Sequence, residues 1–270
     1  MLFRSGLRLL SGCLLMVMLA CFGASRVQNS GGRVQVVGLK IPTQNGQWLS
    51  ADLFRPRTAT AEKPAPLVVV VPGFQRSKET QANISIELAR RGVVVIAIDP
   101  YAQGGSSSSL STRSATEEGY GMFAVVEYAA NTGVLNYVDK TRIAATGHSA
   151  GGNAAIQGAS AFGREAAQTG QPSKLHSVFV SGYVLTLTER TLRSVRSNVG
   201  ISYALYDEGA FRNELKNGDM RRAPEALRVV KSGLGRAGAG LAEVEIGRWY
   251  GDLATRTARE IGRASCRERV

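Results

Sequence analysis

Apolar residues along the chain fall into short runs separated by polar, glycine-rich connections, and the period of the runs switches between two and three to four. Residues 34–41 and 48–54 read as two strands around Asn45-Gly46, a strong hairpin signal because a tight two-residue turn needs positive φ at its centre. Beyond a proline-marked connection at 61–66, residues 67–71 are continuously apolar, the pattern of a strand buried on both faces of a parallel sheet. Residues 79–91 carry Ile84 and Leu88 at helical spacing and stop at Gly92. A second buried strand, 93–98, ends at Asp99-Pro100, and 120–131 is helical. Residues 143–146 form a third buried strand, followed by an alanine-rich helix at 151–167. Further strands are predicted at 178–180, 201–206 and 243–250, and Ser106–Ser109 is a low-complexity loop. Strand-then-helix order with short connections predicts an α/β fold. It is a doubly wound, mostly parallel sheet with helices on both faces, opened by an N-terminal antiparallel hairpin.

The two ends stand apart. Arg4 and Arg8 precede the apolar run 9–22, and Gly23-Ala24-Ser25 offers small residues for cleavage, so 1–25 reads as a signal peptide or membrane anchor. The run is shorter than the ~20 residues that span a bilayer comfortably. Leu19-Ala20-Cys21 also resembles a lipoprotein signal, with an atypical Met18. The protein is expected to be exported: periplasmic, extracellular or anchored, with membrane contact through this segment. Residues 260–270 lack apolar periodicity and match the translation of a common sequencing adapter, a natural arginine-rich tail being the bland alternative. The domain at 34–259 is therefore expected to be incomplete at its C-terminus.

Composition narrows the chemistry. With 44% hydrophobic and 20% charged residues among 270, wholesale disorder and collagen-like repeats are excluded. The net charge of +12 raises the question of a polyanionic partner, but basic residues recur singly among acids. No basic helix or nucleic-acid-binding module is visible, so the charge reads as solvated surface and no nucleic acid is expected. The cysteines are Cys13, Cys21 and Cys266, and the histidines are His148 and His176. No zinc-site spacing exists among them, and no metal centre is expected.

The chemistry concentrates behind the third buried strand. Gly147-His148-Ser149-Ala150-Gly151 matches G-x-S-x-G and is followed by Gly152. Between a strand and a helix, such a turn lifts the serine hydroxyl out at the C-terminal edge of a sheet, over a helix N-terminus. The bland reading is a glycine-rich turn with an incidental serine.

With these residues the sequence resembles the α/β-hydrolase superfamily over most of 34–259. It is most similar to dienelactone-hydrolase-like and polyester- or acetyl-esterase-like serine hydrolases. The similarity is carried by Pro66-Leu67-Val68-Val69-Val70-Val71-Pro72-Gly73-Phe74, by Leu88-Ala89-Arg90-Arg91-Gly92-Val93-Val94-Val95 before Ile98-Asp99, by the elbow, and by Tyr206-Asp207-Glu208. The resemblance implies a small-molecule or polymeric ester as substrate, cleaved through an acyl-enzyme on Ser149 without cofactor. It implies an oxyanion hole from the amides of Phe74 (Gln75 is the neighbouring choice) and Ala150. The triad acid is Asp207, with Glu208 its competitor. Phe74 taken alone reads as a core aromatic. Asp99 is expected to bond the following turn, and Tyr101 and Gln103 to line the substrate pocket or belong to a surface loop. Segment 182–198 has no room for a large lid.

The base departs from the pattern. The family order places a histidine beyond Asp207, and this sequence has none there. His148 sits in the elbow with its ring pointed elsewhere, and His176 is expected at the opposite edge of the sheet. Either the histidine is lost with the C-terminus or the chain is an inactive relative. An acyltransferase or a peptidase would share these residues. From a different class comes a noncatalytic binding protein on a hydrolase scaffold.

Overall fold

The computed structural model describes residues 2–43, 46–107, 119–182, 193–202 and 241–243. Helix α1 (Leu2–Gln28) leads into a hairpin of β1 (Val34–Pro42) and β2 (Trp48–Pro56). Then come β3 (Ala65–Val71), α2 (Ala82–Arg90), β4 (Val94–Ile98), α3 (Met122–Asn131), β5 (Val138–His148) and α4 (Ala150–Thr169). The described chain ends with β6 (Ser177–Ser181), β7 (Asn198–Ser202) and β8 (Leu241–Glu243). All strands join one eight-stranded sheet in the order β1-β2-β4-β3-β5-β6-β7-β8. The β1/β2 and β2/β4 pairs are antiparallel, and every later pair is parallel. The predicted α/β sheet with an opening hairpin is the observed one.

Alternation along the central strands divides the core between the two faces. Leu67, Val69 and Val71 of β3, with Val94, Ile96 and Ile98 of β4, pack with Met122, Val125 and Val126 of α3 and with Ile156 and Phe162 of α4. Val70, Val95 and Ala97 turn the other way and meet Ala89 of α2. Both faces are therefore covered, which is why these strands are apolar without interruption.

Several boundaries differ from the sequence reading. Helix α2 begins three residues later than predicted, behind a single 3₁₀ turn at Lys78–Gln81. Its buried positions are Ser85 and Ala89, whereas Ile84 faces solvent. Small residues at i and i+4 let the helix lie close to the sheet, so contact distance overrides hydrophobicity in choosing the inward face. Strand β7 starts at Asn198 and its described part ends at Ser202, so 203–206 lie outside the described residues. The last described strand, Leu241–Glu243, pairs in parallel with β7, and of the predicted 243–250 all but Glu243 lie outside the described residues. Helix α1 is longer than the apolar run suggested. Its segment Gly6–Gln28 has 23 residues, mean hydropathy 2.0 and no burial, enough by length and composition to cross a membrane and compatible with a signal sequence.

Helix α4 packs on α3 and on the 193–197 segment through glycines. A Cβ at Gly163 would run into the backbone carbonyl of Ser194, whereas one at Gly158 would meet the terminal methyl of the Met122 side chain. The first neighbour is backbone and the second a flexible end. Gly163→Ala is therefore expected to cost about 1–3 kcal/mol by overpacking. Gly158→Ala should stay within about 1 kcal/mol of wild type, because the helix-propensity gain offsets a small side-chain shift. Urea unfolding midpoints followed by circular dichroism check the ranking, and equal losses would contradict it.

Candidate active site

Ser149 is the single residue between the end of β5 and the start of α4, and its backbone sits at φ 53 and ψ −118. A non-glycine residue there carries about 1–3 kcal/mol of strain and persists only where its surroundings over-determine it. Here they do. A Cβ at Gly147 would run into the carbonyl of Gly151, and a Cβ at Gly151 would run into the carbonyl oxygens of Val71 and Pro72. The two flanking glycines thus let the strand, the helix and the end of β3 cross at backbone contact. The Ser149 N–H donates to Ser181 O at 2.8 Å, and Ser149 O accepts the first helical bond from Asn153 N at 3.0 Å. The tight crossing leaves the serine the strained conformation.

The chain leaving β3 passes directly over this elbow, because Val71 pairs with Gly147 at the C-terminal edge of the sheet. A Cβ at Gly73 would stand 3.4 Å from His148 O and 3.6 Å from Ser149 Cβ. Residues 73–76 form a β-turn closed by Arg76 N–H donating to Gly73 O at 3.2 Å, with Gln75 at φ 55. Positive φ at the third turn position is the type II requirement, usually met by glycine or asparagine. The turn lifts Phe74 into solvent at 65% exposure, so the core-aromatic reading of Phe74 is overturned. Ala150 is the first residue of α4, where helix amides lack intrahelical acceptors.

Behind the turn lies a second group of residues that no motif announces. Asp99, 1% exposed at the end of β4, accepts Lys78 N at 2.8 Å, Lys78 Nζ at 3.2 Å and Gly105 N at 2.9 Å. Ser106 Oγ donates to Asp99 O at 2.6 Å. The expectation that Asp99 bonds the following turn holds, and it also anchors the segment behind Phe74. Gln103 Oε1 accepts Arg76 N at 3.0 Å, so Gln103 props the 73–76 turn from behind. Tyr101 is buried at 8% exposure in the main core. Burial pulls the Lys78 ammonium down, but its bonds to Glu79 and Asp99 outweigh this and hold it above the ordinary lysine value. The same bond from Lys78, with one from Ser77, brings Glu79 down to about 2, while burial raises Asp52 against the pull of Lys78. The useful sequence signal was that Lys78 and Asp99 follow adjacent parallel strands and so share one edge.

The remaining pieces stay apart. Among the described residues no hydrogen bond joins the Ser149 hydroxyl to a side chain. His148 is exposed beside Gly73. The His176 amide bonds Ile143 O, six residues before Ser149 on β5, which places it about 20 Å from the elbow at the far edge of the sheet. Asp207 and Glu208 lie outside the described residues, as does most of 182–198. Among the described residues no group of three or more His, Cys, Asp or Glu is placed to hold a metal ion.

The sequence profile of the PET hydrolase-like family matches residues 23–210. The Pyrococcus furiosus esterase Pf2001 superposes with a TM-score of 0.60 at 13% identity, over 87% of this chain and 95% of that one. A hyperthermophilic esterase from the archaeon Pyrobaculum calidifontis gives 0.56 at 19% identity, over 85% and 84% of the two chains. The α/β hydrolase GrgF from Penicillium sp. sh18 is 18% identical with a TM-score of 0.44 over 56% of this chain, which spans about half of its length, 47%. No curated protein matches in sequence.

The network behind the turn orders two substitutions. Gln103→Ala removes one bond to a backbone amide and should cost about 0.5–1.5 kcal/mol. Asp99→Ala strips a buried carboxylate from an ammonium and two amides and should cost about 3–5 kcal/mol. Thermal and urea unfolding of both variants measure this. An Asp99 loss no larger than the Gln103 loss would remove Asp99 as the anchor of these loops.

Proposed function

Because the chain belongs to the PET hydrolase-like family, we propose that it is an exported serine esterase that cleaves carboxylic esters through an acyl-enzyme on Ser149. The observation that carries this reading is the strained Ser149 at the C-terminal edge of the sheet, with the Gly73-Phe74 turn packed against it. Ser149 Oγ attacks the ester carbonyl, and the oxyanion takes hydrogen bonds from the Phe74 and Ala150 amides. Each donor of this kind contributes about 2.7–4 kcal/mol in comparable sites. The alcohol then leaves, and water hydrolyses the acyl-enzyme. Asp207 is the acid that orients the base imidazole. Phe74 and His148 are both exposed beside the elbow, which suits a bulky or polymeric acyl group. Gln103 serves as a positioning residue for the turn.

The base is not among the described residues. An imidazole must take the Ser149 proton and return it to the leaving alkoxide; His176 lies about 20 Å from the elbow, and among the described residues no hydrogen bond joins His148 to the Ser149 hydroxyl. A second reading is a hydrolase scaffold that binds without turnover.

Hydrolysis of p-nitrophenyl butyrate, with Ser149→Ala as the blank, separates the two. The 270-residue chain is expected to show a weak Ser149-dependent rate, on the order of the 10³–10⁴-fold over water that an oxyanion hole and binding alone retain. Added imidazole should raise it, and a fluorophosphonate probe should label Ser149 slowly. A robust rate that falls in His148→Ala would place the base in the elbow. No labelling and no imidazole response would leave the scaffold reading.

A further inference from the structure

Five arginines converge where α1 meets the globular domain. Arg26 lies in the last turn of α1, Arg33 just before β1, Arg57 just after β2, and Arg90 and Arg91 at the end of α2. They line one groove of about 650 Å³, and among the described residues no carboxylate shares its walls. The hairpin register explains the meeting, since Val34 pairs with Pro56 and brings the start of β1 and the end of β2 together. Ser30 is the hub. It is 7% exposed at φ 55, and its hydroxyl is within hydrogen-bond distance of both Arg33 Nη2 at 3.2 Å and Arg90 Nε at 3.1 Å. Two guanidinium groups are thus held to one oxygen, an arrangement their mutual repulsion opposes and an anion would relieve. The nearest acid is Glu87, which pairs with Arg91 at 2.9 Å and Arg90 at 3.6 Å. Arg26, Arg33 and Arg57 have no ion pair among the described residues.

The neighbouring helix identifies the anion. Gly6–Gln28 is apolar and wholly exposed, and the groove opens at its C-terminal end. Arg26 lies over the Phe22 ring at 5.1 Å, the posture of a cation at an apolar boundary. With the apolar helix in hydrocarbon, the groove falls at the depth of the headgroups.

We propose that this groove seats the domain on a membrane by binding the phosphates of anionic phospholipids in the leaflet from which α1 emerges. The sheet sets the resulting orientation. Strand β2 runs antiparallel to β4, with Ala51 opposite Ile98 and Phe54 opposite Val95. Arg57 and Arg91 therefore lie at the N-terminal edge of the parallel strands, opposite the edge that carries Ser149. A domain seated this way opens its elbow away from the bilayer, toward soluble or polymeric substrate.

Co-sedimentation of the full chain tests the idea, using vesicles of phosphatidylcholine alone or with phosphatidylglycerol as a minor component. Helix α1 supplies binding to both, so the readout is the preference between them. Wild type should favour the phosphatidylglycerol vesicles by at least about tenfold and lose the preference at high salt, since each surface guanidinium contributes about fivefold. R33Q/R57Q/R90Q/R91Q should abolish the preference, whereas K40Q/R76Q, which removes two charges at the opposite edge of the sheet, should keep it. R57Q/R91Q spares the Ser30 bonds and should lower it several-fold even if the quadruple variant fails to fold. No preference in wild type, equal losses in R57Q/R91Q and K40Q/R76Q, or an unchanged R57Q/R91Q would overturn the proposal. Release by inorganic phosphate at constant ionic strength would also overturn it, in favour of a soluble phosphate ligand.

Discussion

The backbone crossing of β3, β5 and α4 is the constraint on which the rest of the site depends. Gly147 and Gly151 permit the contact, the carbonyls of Val71 and Pro72 define it, and Ser149 absorbs the strain. Because β3 and β5 are paired in parallel, the same contact that bends the elbow also lays the Gly73-Phe74 turn over the serine. Ser149 and the turn are positioned by one packing event. A side chain at either glycine would separate both from their places.

Loops at a parallel sheet's C-terminal edge need support, since the strands end beneath them. That support comes from the loop after β4. The Asp99 carboxylate and the Gln103 amide together accept two backbone N–H groups from 76–78, just beyond the exposed Phe74 turn. Burial makes the carboxylate costly unless fully bonded, and its bonds to Lys78 and Gly105 meet that demand. The polar network is therefore a consequence of placing a charge at the end of a strand that is buried along its whole length.

The two edges of the sheet separate the molecule's chemistry. The C-terminal edge gathers the elbow, the 73–76 turn and their props. The N-terminal edge gathers arginines around the exit of an apolar helix. Parallel strands carry both, because every crossover returns the chain to the same starting edge.

The sequence alone determined the succession of strands, the sheet class, and the strand-to-helix turn at Ser149. Those features rest on local rules: uninterrupted apolar runs at 67–71 and 94–98, the Asn45-Gly46 turn, and a G-x-S-x-G segment between strand and helix. The histidine inventory was equally legible, and the structure places His176 far from the elbow as the strand order required. Other features were decided only by the tertiary structure. Phe74 is exposed because a turn closed by Gly73 and Arg76 turns it outward, which residue type does not encode. Ile84 faces solvent because Ser85 and Ala89 allow a closer approach of α2 to the sheet. Lys78, Asp99 and Gln103 act together, and Arg33 meets Arg90 at Ser30, through contacts that span 21 to 60 positions of sequence. Periodicity reports which face of an element is apolar. It carries no record of which distant loops the sheet brings to the same edge.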